Sequence, residues 1–449
     1  MKDNTILTEN YISKKQRWIY RIIFFCIFAF PLLPEYIAPF LTVGLAIITF
    51  TYFKERIMID KYAKLQGLYI AYCFLTAVWA GNPLYTLASA TLLFLMFLGQ
   101  ISISVLADSK KNLRNILHLI LYSGTIVGGI GAVQAVVSYL RYSKIVDIPF
   151  PNPFYLHLDS AIFDFLINFG IDMKTKPFLG RANGTFSNPN IYVAFLLMIF
   201  PIAVYYLLRA NRRKHKIRYG LCTIVLCLGI AGSQSRGALI SVGLSTLFIL
   251  FGNRKFLRKL LVVMAGFVGI LTSLMHRLMR TARKLKEFSG TLFGTPFSIM
   301  VNPSTHTHLR LYFCAYEYII SNAFVFLFGV GYGVQNSWDV FNSFGINQPH
   351  AHNLILELWM EGGIFGTVIF LFAILSLMVD LKRILRISPE SRYIAVVIMA
   401  SFVGLFAFCI FDYVLFSPKI LQTFYIFIGL ASATLRLYSK KESAEEKQQ

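Results

Sequence analysis

The recurrence of apolar runs constrains this chain more than any single motif. Runs approaching the roughly 20 residues needed to cross a bilayer core fall near 18–34, 36–53, 65–80, 85–106, 115–139, 190–209, 217–233, 236–252, 257–274, 352–379, 393–411 and 413–434. With 56% of residues hydrophobic and 14% charged, the chain has too little polar surface for a soluble domain of its size. The expectation is an all-α, polytopic integral membrane protein of about twelve transmembrane helices, residues 1–449 forming one membrane domain. The two prolines of "PLLPEY" separate the first two spans. The polar start "MKDNTILTENYISKKQRW" has no small-residue cleavage site, so the first run reads as a retained span rather than a signal peptide.

Charge alternates along the connections. Lys14, Lys15 and Arg17 precede the first span, and "KERIMIDKYAK", "SKKNLR", "RANRRKHKIR", "NRKFLRK", "LKRILRISPESR" and the tail after 434 are all basic. The intervening short connections near 34–36, 81–84, 234–236 and 412 carry few charges. Lys and Arg accumulate on cytoplasmic loops, so both termini are expected in the cytoplasm. The net charge of +22 is then largely an orientation signal, and a nucleic-acid partner is not expected. The six cysteines sit mostly in apolar runs without a CxxC pair, which fits small core residues rather than disulfides or metal ligands.

Two connections on the outer side, about 140–190 and 275–351, are too long for simple turns, and long loops in compact proteins usually serve function. Six of the eight histidines (His157, His276, His306, His308, His350 and His352) lie in or beside them. The first ends in "GRANGTFSNPN". Asn188, Pro189 and Asn190 make a helix start, with Asn190 a candidate cap, while Arg181 at the helix mouth suits an anion clamp. In "GSQSRGAL", Arg236 opens an apolar helix, where it either snorkels to the interface or holds an anion, with Ser233, Gln234 and Ser235 as neutral donors beside it.

In "THTHLRLYFCAYEYII", Arg310, Glu317 and the tyrosines suggest an amphipathic helix on the membrane face. The following "GVGYG" reads as a tight turn, since it lacks the strand-to-helix setting of a nucleotide loop. The basic stretch "MHRLMRTARKLKEF" reads as an interfacial helix facing anionic headgroups, or as a landing strip for a phosphate-rich lipid. In "HAHNLILELWMEGGIFG", His350 and His352 form an H-x-H pair, as do His306 and His308. Two such pairs raise zinc, but no nearby cysteine or carboxylate completes a familiar ligand spacing, and no metal is expected. A neutral imidazole acting as general base is the alternative, with Asn353 orienting it or meeting a substrate hydroxyl. Gly362, Gly363 and Gly366 suit close helix packing.

Arginines with a histidine, and no acidic cage, suit an anionic leaving group and a hydroxyl nucleophile. On "RANGTFSNPN", "SQSRGAL", "HLRLYFCAYEYI" with "GVGYG", and "HN" followed nine residues later by "GIFG", the chain resembles the O-antigen ligase and polymerase superfamily over most of its length. The resemblance implies an inverting, metal-independent glycosyltransferase of the bacterial inner membrane, with its site in the periplasm and no cofactor. Its donor would be an undecaprenyl-diphosphate-linked glycan, its acceptor a sugar hydroxyl of lipid A–core, and its surroundings the membrane lipids. By motif, Arg236 and Arg310 would bind the diphosphate and His352 would be the activating base. Arg181, Asn190, Asn353 and His350 would help bind substrate. A polymerase would use the same donor, and the "H-N…G-x-x-G" spacing with the chain length favours the ligase. A lipid-linked glycan flippase would instead need a polar path through the membrane, for which the depths of Glu357 and Asp412 are the test.

Overall fold

The computed structural model describes residues 14–35, 37–142, 181–251 and 303–445. Among the described residues every regular element is a helix. The α-helices are α1 (Lys14–Ala29), α2 (Ala38–Tyr52), α3 (Lys61–Leu75), α4 (Pro83–Leu106), α5 (Lys110–Tyr142), α6 (Pro189–Arg209) and α7 (Arg213–Gly232). They continue with α8 (Arg236–Phe251), α9 (Pro303–Ser321), α10 (Ala323–Phe328), α11 (Val334–Ser343), α12 (Leu354–Ile384), α13 (Pro389–Cys409) and α14 (Pro418–Glu445). Several starts follow directly from sequence. The side chains of Asp60, Asn82, Asn188, Asn322, Asn353 and Ser388 each accept a first-turn backbone N–H, and prolines occupy the opening positions of α4, α6 and α13.

Among the described residues, six helices are long and apolar enough to cross a membrane: α4, α6, α12 and α13 whole, α5 over Lys110–Val137 and α14 over Pro418–Tyr438. Trp18–Ala29, Ala38–Tyr52 and Arg236–Leu250 are shorter apolar helices. The span expected at 65–80 is the 15-residue α3 and a 3-10 turn at Thr76–Val78, and that at 217–233 is α7. The run at 257–274 and the basic stretch at 275–288 lie outside the described residues.

Apolar on every face, α6 and α13 are buried on every face. With α14 they form the central pillars. Around α6 pack α5, α7, α8 and α13, and around α14 pack α2, α4, α12 and α13. The segment expected as a long outer loop at 275–351 is, from 303 onward, largely helical: α9, α10 and α11 build a smaller second core from Leu311, Ala315, Ile319, Val325, Val340 and Phe341. Its apolar periodicity is short and interrupted, which hides it beside the longer runs.

The helix ends sort into two groups. At one end, Arg56 pairs with Asp108 at 2.8 Å, Lys61 with Asp380 at 3.2 Å and Lys110 with Glu390 at 3.2 Å. These pairs join the ends of α2, α3, α4, α5, α12 and α13. At the other end converge the N-termini of α6, α8, α12 and α14 with the C-termini of α7 and α13, and there a polar hydrogen-bonded cluster stands where the first end has ion pairs.

Candidate functional site

The polar cluster is built on the short link before α12. Asn353 caps that helix: its Oδ1 accepts from the backbone N–H groups of Ile355 and Leu356 at 3.0 and 3.1 Å, and its Nδ2 donates to the Ile410 carbonyl at 2.9 Å. One side chain thus starts α12 and ties it to the end of α13. From α9, the Tyr312 hydroxyl donates to the carbonyls of His352 and Ile410 at 3.0 and 3.3 Å. Between these anchors His352 is held at φ 51°, a left-handed conformation that a residue with a Cβ adopts at a cost and keeps only where its surroundings impose it.

Asp412, in the link between α13 and α14, is the partner that fixes His352. Its Oδ1 lies 2.6 Å from His352 Nδ1. A carboxylate can only accept, so Nδ1 carries a proton toward Asp412, while Nε2 faces outward, 3.5 Å from Gln348 Oε1. The other carboxylate oxygen accepts from Asn190 Nδ2 at 2.7 Å. Burial alone would raise the Asp412 carboxyl, but the hydrogen bonds from His352 and Asn190 help hold it below its ordinary value.

His350 lies beneath. It is buried, stacks near Phe416 at 5.0 Å, and accepts the His352 backbone N–H on Nδ1 at 3.3 Å. Burial, with the charge of His352, lowers its pKa to about 3, so it is a neutral support. The His308 ring packs 4.5 Å from that of His352, and burial with the His352 charge lowers it too.

Arg181 extends the network. Its Nε donates to the Ser233 carbonyl and its Nη2 to Asn190 Oδ1, both at 2.7 Å. A continuous chain of hydrogen bonds therefore runs Arg181–Asn190–Asp412–His352. Asn190 was expected to cap α6. Asn188 does so instead, accepting the Asn190 N–H at 2.7 Å, which leaves the Asn190 amide to bridge. The loop carrying Arg181 is pinned from below. Gln134 Oε1 takes the N–H groups of Asn183 and Gly184 at 3.2 and 2.7 Å. Buried Lys419 donates to the Thr185 carbonyl, the Thr185 hydroxyl and the Pro31 carbonyl at 2.8, 3.0 and 3.1 Å. Gly184, at φ 57°, lies where a Cβ would strike the Tyr192 ring.

The two arginines expected to bind diphosphate are both exposed. Arg236 opens α8, and a Cβ on its neighbour Gly237 would lie 3.2 Å from Phe411, which places that helix start beside Asp412. Arg310 is two residues from His308, on the outward side of α9, while Leu311, Tyr312, Ala315 and Ile319 take the packed side. The structure therefore joins Arg181, Asn190, His350, His352 and Asn353 in one network, sets Arg236 at its edge, and leaves Arg310 outside it. The side chain of His306 lies outside the described residues.

Among the described residues, His350, His352 and Asp412 are the group able to offer three ligand atoms to a metal ion, and these lie within 4.8 Å of one another. Each is already engaged: His350 Nδ1 by a backbone N–H, His352 Nδ1 and Asp412 Oδ1 by their shared proton. Ligation through those particular atoms would require those bonds to break.

"GVGYG" forms a turn, with Gly329, Gly331 and Gly333 all at positive φ. It docks against a break in α12 at Gly363, where φ is 62°. Val330 and Gly331 donate to the carbonyls of Met360 and Glu361 at 2.8 and 3.1 Å. The buried charged groups Glu357, Glu361, Asp412 and Lys419 all lie at this end of the bundle, in the first turns of α12 and α14 or the link between helices. No polar path built of charges crosses the described bundle.

The whole arrangement offers an oriented imidazole near arginine side chains and helix N-termini. Residues 221–371 match the family model described as O-antigen ligase. No curated protein matches the chain.

Proposed function

We propose, with support from the match of residues 221–371 to the O-antigen ligase family model, that this chain moves a glycan from undecaprenyl diphosphate to a sugar hydroxyl of lipid A–core. The reaction is inverting, independent of metal, and takes place at the periplasmic face of the inner membrane. The observation that carries this reading is the His352–Asp412 pair at 2.6 Å, continued through Asn190 to Arg181.

The chemistry follows from the atoms. The acceptor hydroxyl approaches His352 Nε2, which takes its proton as the oxygen attacks the anomeric carbon from the side opposite the diphosphate. The anomeric C–O bond to phosphate breaks, and the electron pair leaves on the diphosphate. Asp412 keeps the imidazole in the productive tautomer and stabilises the imidazolium that forms. Arg181 uses two of its five N–H donors on the protein, so the rest remain for the departing oxyanion, with Arg236 at the edge of the same end. Helix N-termini add fixed positive potential without mobile charge.

The test uses the purified chain in lipid with a polyprenyl-diphosphate glycan, lipid A–core and EDTA throughout. Native protein is expected to transfer glycan to lipid A–core, and His352→Ala to lose about 10²-fold or more of that rate. Donor glycans joining one another would make the chain a polymerase. Activity lost in EDTA and restored by zinc would overturn the general-base account.

A further inference from the structure

The basic end of the bundle holds a second built feature, far from His352 along the helices. A cavity of about 420 Å³ opens between α5, the α6–α7 link, α7 and the start of α13. Its basic side chains come from separate elements: Arg114 from α5, Arg209 from the end of α6, Arg212 from the link and His215 from α7. Glu390 is the one acid among the lining residues, and it is engaged by Lys110 at 3.2 Å and Arg114 at 3.7 Å. Arg209 and Arg212 are exposed at the rim.

The wall behind the cations is aromatic. His118 stacks on Tyr206 at 4.6 Å, and Tyr206 on Tyr219 at 4.9 Å. The helix that starts at the rim is uncapped: Arg212, at the position before α7, makes no capping hydrogen bond, and the first turn of this 20-residue helix has no acid. Its free N–H groups and positive dipole end add to the arginines.

A soluble anion would explain the rim but not what lies below it. On α7, Ile217, Leu221, Ile224 and Leu228 are each more than half exposed. Their spacing of four, three and four residues puts them on one face, opposite Tyr219, Cys222, Leu226 and Ile230, which are buried. An apolar stripe therefore descends from the basic cavity along the outside of the bundle. A phosphate head on an apolar tail matches both parts at once.

We propose that this cavity binds the phosphate headgroup of an anionic phospholipid whose acyl chains lie along the exposed face of α7. Basic pockets between spanning helices hold such headgroups by the attraction of each cation near the surface. The site is independent of glycan transfer, since it lies at the opposite helix ends.

The test is native mass spectrometry of the full chain released from bilayers containing equal phosphatidylglycerol and phosphatidylcholine. The native chain is expected to retain phosphatidylglycerol selectively, and the double variant Arg209→Gln/Arg212→Gln to bind it about tenfold more weakly. Lys214→Gln/Lys216→Gln removes the same charge from exposed residues outside the cavity and is expected to retain the lipid. An equal loss in that control would overturn a specific site in favour of general surface attraction. Absence of any preference over phosphatidylcholine would overturn it as well. A parallel titration with inorganic phosphate separates the sources: displacement of the lipid by modest phosphate would make this a soluble-anion site. Thermal midpoints of all variants in phosphatidylcholine alone confirm that each is folded.

Discussion

At the scale of single residues, the site depends on a proton held in one place. Asp412→Asn keeps the size of the side chain but presents a group that can donate to Nδ1, so the imidazole loses its preferred tautomer. Transfer is expected to fall by about 10²–10⁴-fold, with the protein still folded by thermal melting. His350 makes a separate prediction. Its pKa is about 3 in the folded chain against an ordinary 6.5, so between those values the unfolded chain binds a proton that the folded chain refuses. Stability then rises with pH across that window, by about 1.4 kcal/mol per unit from this residue. Melting between pH 6.5 and 5 should show a loss that is smaller in His350→Asn, whose Oδ1 can still accept the His352 N–H. An identical pH dependence in the variant would rule out His350 as its source. His352, Asn353 and Arg181 were legible from the sequence because polar groups at the mouths of apolar helices are costly without a reason. Asp412 was not legible as a partner: it lies 60 residues beyond His352, and only folding brings the two together. Lys419 was hidden more fully, since nothing local distinguishes a buried lysine satisfied by three oxygens from one that snorkels.

At the scale of elements, the spacing of "HN" and "GIFG" has a structural meaning that sequence did not disclose. The glycines were expected to let spans pack closely, and Gly366 does lie against Tyr72. Gly363 does something else: it breaks α12, and a Cβ there would meet the Leu327 backbone. The break is what exposes the Met360 and Glu361 carbonyls to the "GVGYG" turn. Gly363→Ala combines a positive φ with a backbone collision, and is expected to destabilise by well over the roughly 1 kcal/mol of the conformational penalty alone. Gly362→Ala, whose Cβ would be 3.5 Å from Tyr72, is an ordinary contact and should melt close to the native chain. Equal melting of the two variants would remove the break from the account. The positions of the six long apolar helices were readable because long apolar runs leave few alternatives. The helices α9 to α11 were not, because their short periodicity is completed only by packing against one another and against the start of α12.

At the scale of the whole molecule, the charge pattern of the connections and the sorting of helix ends agree. The lysine and arginine ion pairs gather at one end, and the His352 network at the other. Cysteine substitutions in a background lacking the six native cysteines test the orientation in intact cells. Ser235→Cys and Gln348→Cys should react with a membrane-impermeant maleimide from outside, while Lys111→Cys and Arg213→Cys should not. The reverse pattern would place the network in the cytoplasm and remove lipid A–core as acceptor. One consequence reaches beyond the transfer step. The N-termini of α6, α8, α12 and α14 lie at the network end, and their dipoles cannot be switched off when a product has left. On the proposed reaction, the spent lipid carrier would be more negative than the loaded donor and would face an undiminished pull. Turnover would be governed by how fast that emptied carrier departs, so its accumulation in the membrane should act as a brake on the enzyme that produces it.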